Sequence, residues 1–248
     1  MTQAEPLGFV EWFRLGDKAH AEKAIDMMRA AGVQRLRTQF SWAEYHQGDA
    51  EEWYEWLMPK LGVAFDVMPC FHYTPPSLSR TGRSSGAPHR LRDFADFIDV
   101  ILTRHGTHFE AIELWNEPNN LLDWDWRADP DHALYCEMIG DAAHWVRERG
   151  FPVVLGGPSP FDPEWLDLIG QRGSRDTTNR FTSATASAPR WSPDTVFCIG
   201  GVIRMGGTIG YSQVLVVLRS EVFIAHDKTN GAAEGDAIHH ARQAFNLV

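Results

Sequence analysis

Apolar runs alternate with segments of helical periodicity over the first two-thirds of the chain. A short apolar run bounded by turn residues predicts a strand, and apolar positions three and four residues apart predict a helix. The strands are predicted at 7–10, 34–42, 64–72, 109–115 and 152–155. The helices that follow them have inward stripes that begin at Ala21, Trp53, Phe94, Tyr135 and Trp165. Five βα units in succession predict an α/β fold built on a parallel sheet.

Capping residues support the predicted boundaries. Asp17 precedes the first helix as an N-cap, and Gly32 follows it, which is typical of a helix end. Asp162 and Pro163 stand in the order N-cap and N1 before the fifth helix.

The pattern changes near residue 172. The first 172 residues contain 27 acidic residues, 16 basic residues and nine of the ten tryptophans. The remaining residues contain six acidic residues, seven basic residues and one tryptophan. The segment 173–192 is rich in Ser, Thr, Arg and Ala without either period, so we predict poor order there. Runs at 196–203 and 214–218 predict strands and 232–245 predicts a helix, which fit units six and seven only loosely. No eighth unit follows.

The length suits one domain, because a complete eightfold barrel needs about 250 residues. We therefore predict a single domain over 1–248 with the fold of an incomplete (β/α)₈ TIM barrel. Units one to five occupy 6–171, and 172–248 is either divergent or the product of a disrupted reading frame after about Arg172. We favour the disrupted frame.

Charge and cysteine content narrow the function classes. A formal net charge of −10 argues against a nucleic-acid partner, which favours a basic face. The three cysteines form no cluster with metal-ligand spacing, so we expect neither a metal nor a cofactor. No apolar run reaches the roughly 18 residues of a membrane span. The first residues do not resemble a signal peptide, so we expect a cytoplasmic protein with no membrane association. The oligomeric state stays open.

The segment 113–119, Glu-Leu-Trp-Asn-Glu-Pro-Asn, lies at the predicted end of the fourth strand. Chemistry in a (β/α)₈ barrel occurs at these strand ends. Glycoside hydrolysis needs one carboxylic acid to protonate the leaving oxygen and a second carboxylate to attack the sugar. The segment therefore predicts Glu117 as catalytic acid/base and Asn116 as a ligand of the sugar 2-hydroxyl. The alternative is a simple turn with a solvated Glu117.

Further candidates lie on the second to fourth strands. Arg37 is a charge inside an apolar strand, where it needs a carboxylate unless it is exposed at the strand end. His72 is interpreted as a sugar ligand or as a histidine of the barrel rim. Trp42, Tyr73 and Trp115 are candidate sugar-stacking platforms, with core packing as the alternative. Trp124 and Trp126, in the loop after Glu117, are interpreted as residues that flank a sugar subsite or as residues that pack the loop.

These segments resemble a known family. Asn116-Glu117-Pro118 on the fourth strand resembles the acid/base signature of the clan A glycoside hydrolases. The segment 36–42 is similar to the clan's second strand, where an arginine supports the catalytic carboxylates. The segment 71–76 is similar to its third strand, which carries a sugar-facing histidine or aromatic. The resemblance covers about 6–171, is closest to xylosidase-like barrels, and implies retaining hydrolysis of a β-linked carbohydrate.

The second half departs from that family. The clan's nucleophile is a glutamate at the end of the seventh strand in a Thr-Glu-x-Gly-like setting, and no such motif occurs here. Glu221 follows the run 214–218 at about the right place, but its neighbours do not match. Three hypotheses remain open: a retaining glycosidase, a barrel that binds carbohydrate without turnover, and another barrel enzyme with Glu117 as general base. The combination of Arg37, His72 and Asn116 argues against the third.

Overall fold

The computed structural model describes residues 7–160, 162–176, 212–218 and 221–227. The chain divides into two compact units, Met1–Thr195 and Val196–Val248. The single domain over 1–248 stays a prediction.

The first unit contains a five-stranded parallel sheet whose strands lie side by side in chain order. Its strands are β1 (Gly8–Glu11), β2 (Arg35–Ser41), β3 (Asp66–His72), β4 (Ile112–Leu114) and β5 (Val153–Leu155). Its helices are α1 (Lys18–Ala30), α2 (Trp42–Tyr45), α3 (Ala50–Ala64), α4 (Arg92–His105), α5 (Ala133–Glu148) and α6 (Pro163–Asp176), with a short 3₁₀ turn at Gly106–His108.

This strand order identifies the architecture. Connections between parallel strands are right-handed, so an unbroken sequence of neighbours keeps all the connecting helices on one face. That winding is the one of a (β/α)₈ barrel. The described residues form five of its eight units, which confirms the predicted α/β class and the incomplete barrel.

The two faces of β2 show how the sheet separates core from site. Leu36 and Phe40 point towards the helices and are fully buried. The Phe40 ring stacks on Tyr54 of α3 at 3.9 Å between ring centroids and also contacts Phe97 of α4. Arg37 lies between them in sequence and therefore points to the opposite face. The apolar stripe predicted for α4 is buried throughout.

The predicted caps are confirmed, and two details differ. The Asp17 carboxylate accepts from the backbone N–H of His20, and the Asp162 carboxylate accepts from that of Trp165. The fourth strand is shorter than predicted, because Phe109 forms only an isolated bridge to Val67. Trp145 was predicted to face the core but is 38% exposed.

The second unit corrects the prediction for the seventh strand. β6 (Ser212–Leu218) contains the predicted run 214–218, but it pairs antiparallel with β7 (Glu221–Asp227) in a two-stranded sheet. Glu221 begins β7 and so does not follow a strand of the parallel sheet. α6 extends to Asp176, into the segment predicted to lack order. The segments 177–192, 196–203 and 232–245 lie outside the described residues.

Candidate active site

A buried arginine organises the end of the sheet where the site was predicted. Arg37 Nε donates to Glu113 Oε2 at 2.5 Å, and its Nη2 donates to Glu113 Oε1 at 3.0 Å. Both side chains are almost fully buried. The pair is bidentate, which is the strongest geometry for an arginine and a carboxylate. The carboxylate that Arg37 required is therefore Glu113.

Arg37 also reaches the motif beyond the strand. Its Nη2 donates to Asn116 Oδ1 at 2.9 Å and contacts Cys70 Sγ at 3.5 Å. Its charge acts on the pKa of both His72 and Glu117. The structure therefore brings together Arg37, His72, Asn116 and Glu117.

Asn116 is held from two sides. Its Oδ1 accepts from Arg37, and its Nδ2 donates to Asp123 Oδ1 at 3.0 Å. Asp123 also accepts a hydrogen bond from the Tyr73 hydroxyl. This network fixes the plane of the Asn116 amide beside Glu117.

Glu117 lies in a partly buried environment beside a second carboxylate. Its side chain is half-buried, and Asn120 Nδ2 donates to its Oε2 at 3.3 Å. Burial raises the pKa of Glu117, and the neighbouring charge of Asp123 raises it further against the opposing contributions of Asn120 and Arg37. A raised pKa keeps a carboxyl group protonated closer to neutral pH, as an acid catalyst requires.

Three residues next to the strand ends have a left-handed backbone although none is glycine. Tyr73 follows β3 with φ of 63°, Trp115 follows β4 with φ of 70°, and Glu117 has φ of 32°. Such conformations cost about 1–3 kcal/mol each and concentrate at functional sites. The strained backbone therefore lies in the same part of the fold as the hydrogen bonds of Asn116 and Glu117.

His72 is the last residue of β3, and its ring contacts Trp12, which follows β1. It is fully buried, its ring stacks on Tyr73 at 3.9 Å between centroids, and the Trp12 ring meets it edge-on at 4.8 Å. Burial, followed by the charge of Arg37, lowers the pKa of His72 to about 3. Neither ring nitrogen has a hydrogen-bond partner among the described residues. His72 is therefore a neutral imidazole with unused polar atoms.

The tryptophans correct one set of predictions. Trp42 is 2% exposed and stacks on Phe97, while Trp115 is completely buried between Phe94 and Trp124. Neither ring offers a face to a sugar, so the stacking role predicted for Trp42 and Trp115 is replaced by core packing. Trp124 is buried as well, whereas Trp126 is 37% exposed. The difference follows from loop packing, which aromatic composition alone does not specify.

Sequence reasoning missed three residues of the site. Glu113 lies inside the motif that was singled out, and alternation along β4 places it on the same face of the sheet as Arg37. Asp123 lies in a loop rich in Trp and Asp, where no pattern distinguishes it. Trp12 directly follows β1, and its ring lies 5.6 Å from the Arg37 guanidinium. A position just after a strand was its only signal.

Within the part of the chain that the structure describes, no group of three or more His, Cys, Asp or Glu residues is arranged to hold a metal ion. No described helix is both long and apolar enough to cross a membrane.

No protein-family model matches the sequence, and the search of curated proteins gave no match. The search of solved structures found matches of low sequence identity. A monomeric β-xylosidase from Caulobacter crescentus is 17% identical with a TM-score of 0.48, and the match covers 84% of this chain and 45% of that one. The GH39 enzyme from Xanthomonas axonopodis pv. citri is 15% identical with a TM-score of 0.46, covering 96% and 48%.

A family 39 glycoside hydrolase from Bacteroides cellulosilyticus is 18% identical with a TM-score of 0.44, covering 61% of this chain and 31% of that one. The chain thus spans less than half the length of these three solved proteins. At these scores the likeness assigns neither a substrate nor a mechanism.

Proposed function

We propose that this chain carries the acid/base half of a retaining glycosidase site that hydrolyses a β-linked sugar. The observation that carries the proposal is Glu117, a half-buried carboxyl group with a raised pKa, beside an Asn116 amide fixed by two hydrogen bonds. An acid next to an oriented amide is what a glycoside requires at its leaving oxygen and its 2-hydroxyl.

Each of these residues has a separate task in this mechanism. Glu117 donates a proton to the glycosidic oxygen as it leaves, and then, as a carboxylate, takes a proton from the attacking water. Asn116 keeps one N–H for the sugar, because its other polar contacts are made by Arg37 and Asp123. Glu113 holds Arg37, and Arg37 in turn holds Asn116. Neither of these two charged residues contacts the substrate in this mechanism.

Retention also requires a nucleophilic carboxylate about 5–5.5 Å from the acid/base. The sequence offers Glu221 by position alone, and β7 gives it no place at the end of a parallel strand. The nucleophile is therefore unassigned. Resequencing the codons for residues 165–248 tests whether a shifted frame restores a Thr-Glu motif.

A second candidate function is carbohydrate binding without turnover. The observation in its favour is Asp123, the described carboxylate whose charge acts on Glu117, because two hydrogen bonds already occupy it. A carboxylate engaged in this way is a poor nucleophile. A glycosidase cleaves the glycosidic bond and a binding protein leaves it intact, so hydrolysis assays distinguish the two candidate functions.

The deciding experiment follows hydrolysis of aryl β-xylosides that differ in leaving group, with the anomer formed first identified by proton NMR. The expected product is the β anomer. Glu117→Gln should slow poor leaving groups far more than good ones, because good leaving groups need no proton. Azide should rescue the variant by forming a β-glycosyl azide. Glu148→Gln, an exposed change at the end of α5, is the matched control and should leave the rates unchanged.

Two results contradict the acid/base assignment. One is a mutant-to-parent rate ratio that stays flat across the leaving groups, which removes Glu117 as the proton donor. The other is an α anomer as first product, which shows inversion and removes the second role of Glu117 as base in a retaining mechanism. Absence of hydrolysis combined with calorimetric binding of xylobiose supports the binding function instead. Absence of both hydrolysis and binding across xylosides, glucosides and galactosides rejects both candidates.

A further inference from the structure

Asp123 lies in the loop after the Asn-Glu-Pro motif, yet it is 5% exposed. Its carboxylate accepts from Asn116 Nδ2 at 3.0 Å and from the Tyr73 hydroxyl. Its backbone is also anchored, because its carbonyl accepts from Trp115 Nε1 at 2.8 Å and its N–H donates to the carbonyl of Asn120 at 3.0 Å. The loop therefore holds this carboxylate at a fixed position.

The neighbours of Asn116 allow only one orientation of its amide. Arg37 has only donors and faces Oδ1, while the Asp123 carboxylate has only acceptors and faces Nδ2. Rotating the amide by half a turn would place N–H against N–H on one side and oxygen against oxygen on the other. Both neighbours thus specify the same orientation, and each reinforces the other.

We infer that Asp123 is a positioning residue, which sets the Asn116 amide so that one N–H of Nδ2 stays free for the 2-hydroxyl of a bound sugar. This inference rests on the proposed function for the identity of the ligand. Without Asp123, only Arg37 restrains the amide, and the free N–H is no longer aimed. The role is selective: it concerns the contact with one hydroxyl group and leaves the rest of the sugar site in place.

The supporting charge effect has the same geometric origin. Asp123 is close enough to Glu117 to raise the pKa of that carboxyl group, while Arg37 opposes it. Asp123 thus borders both members of the motif that would contact the glycoside.

The test compares two ligands that differ only at the 2-hydroxyl. Phenyl 1-thio-β-xylopyranoside and its 2-deoxy counterpart resist cleavage, so calorimetry on the full chain measures binding alone. Asp123→Ala should weaken the hydroxylated ligand about tenfold, the loss of one well-aimed hydrogen bond. The 2-deoxy ligand should change less than about twofold, because the lost contact does not exist for it.

Three further variants refine the comparison. Asp123→Asn can turn its own amide oxygen towards Asn116, so it should recover most of the selectivity for the hydroxylated ligand. Asp125→Asn is the control, because it removes an acid from the same loop whose carboxylate makes no hydrogen bond or ion pair among the described residues. In an Asn116→Ala background, Asp123→Ala should have no further effect on either ligand.

Equal weakening of both ligands by Asp123→Ala would show a merely structural role and overturn the inference. If the parent binds neither ligand, that result counts against the proposed function. A second measurement, which needs no sugar, still tests the positioning role of Asp123. The side-chain ¹⁵N–¹H amide signals of Asn116 should shift and exchange faster with solvent in Asp123→Ala. Unchanged signals would overturn the positioning role independently of any sugar.

Discussion

Arg37 and Glu113 form a buried, bidentate ion pair across the sheet, and Arg37 Nη2 also contacts Cys70 Sγ of the intervening strand β3 at 3.5 Å. The pair connects β2 to β4 directly below Asn116. Its position makes it the support on which the predicted site depends, and it leads to a stability prediction.

Glu113→Ala should lower the free energy of unfolding by about 3–5 kcal/mol, because it leaves the Arg37 charge buried without its partner. Asp96→Ala removes the partner of Arg92 on the exposed side of α4 and should change stability by less than about 1 kcal/mol. Urea denaturation followed by fluorescence measures both. Similar decreases in the free energy of unfolding for the two variants would show that the buried ion pair stabilises the protein no more than the exposed one.

His72 predicts a pH dependence of stability. Because the folded pKa is about 3, the native protein keeps this ring neutral while the unfolded chain takes up a proton below its ordinary pKa. Stability is therefore lost as the pH falls below about 6.5. His72→Gln removes this penalty, so between pH 7 and pH 5 it should gain about 2 kcal/mol relative to the parent.

His144→Gln, exposed on α5, is the control for that change and should follow the parent across the same pH range. Denaturation at pH 5, 6 and 7 gives the difference directly. A constant gap between parent and His72→Gln would mean that His72 becomes protonated in the native state.

The alkaline limb of the pH–rate profile should depend on Asp123. Glu117 must be protonated for the first chemical step, so kcat/KM falls as the pH rises through its pKa. Burial and the Asp123 charge raise that pKa, with Arg37 and Asn120 opposing them. Asp123→Asn removes one negative charge and should move the limb to lower pH. Asp125→Asn should leave its position unchanged, and a shift to higher pH after Asp123→Asn would contradict the assignment.

Gly156 should resist substitution because the backbone of the site occupies its space. A Cβ atom there would lie 2.3 Å from the carbonyl oxygen of Trp115, a residue already at positive φ. Gly156→Ala should therefore destabilise the protein by at least about 2 kcal/mol. Gly170→Ala, inside α6 with open space around it, should stabilise by about 0.5–1 kcal/mol through helix propensity. Thermal unfolding of the two variants should shift in opposite directions.

The local order of the first unit could be predicted from the sequence because periodicity is a local property. The stripes of α1 and α4, the caps Asp17 and Asp162, and the five strands all depend on neighbours within a few residues. The same reasoning did not extend to the second unit, where an isolated run at 214–218 is equally consistent with a parallel strand and with half of a hairpin. The hairpin pairing depends on the partner strand β7.

The site divides along the same line. By itself, the sequence determined that Arg37 needed a carboxylate, since a buried charge in a strand is costly without one, and it placed Glu117 after the fourth strand. Only the tertiary structure decided that the partner is Glu113, that Trp42 and Trp115 are core residues, and that Asp123 orients Asn116. These are contacts between residues on different strands and loops. They depend on sheet register and on the path of each loop, which the pattern of apolar and polar positions does not encode.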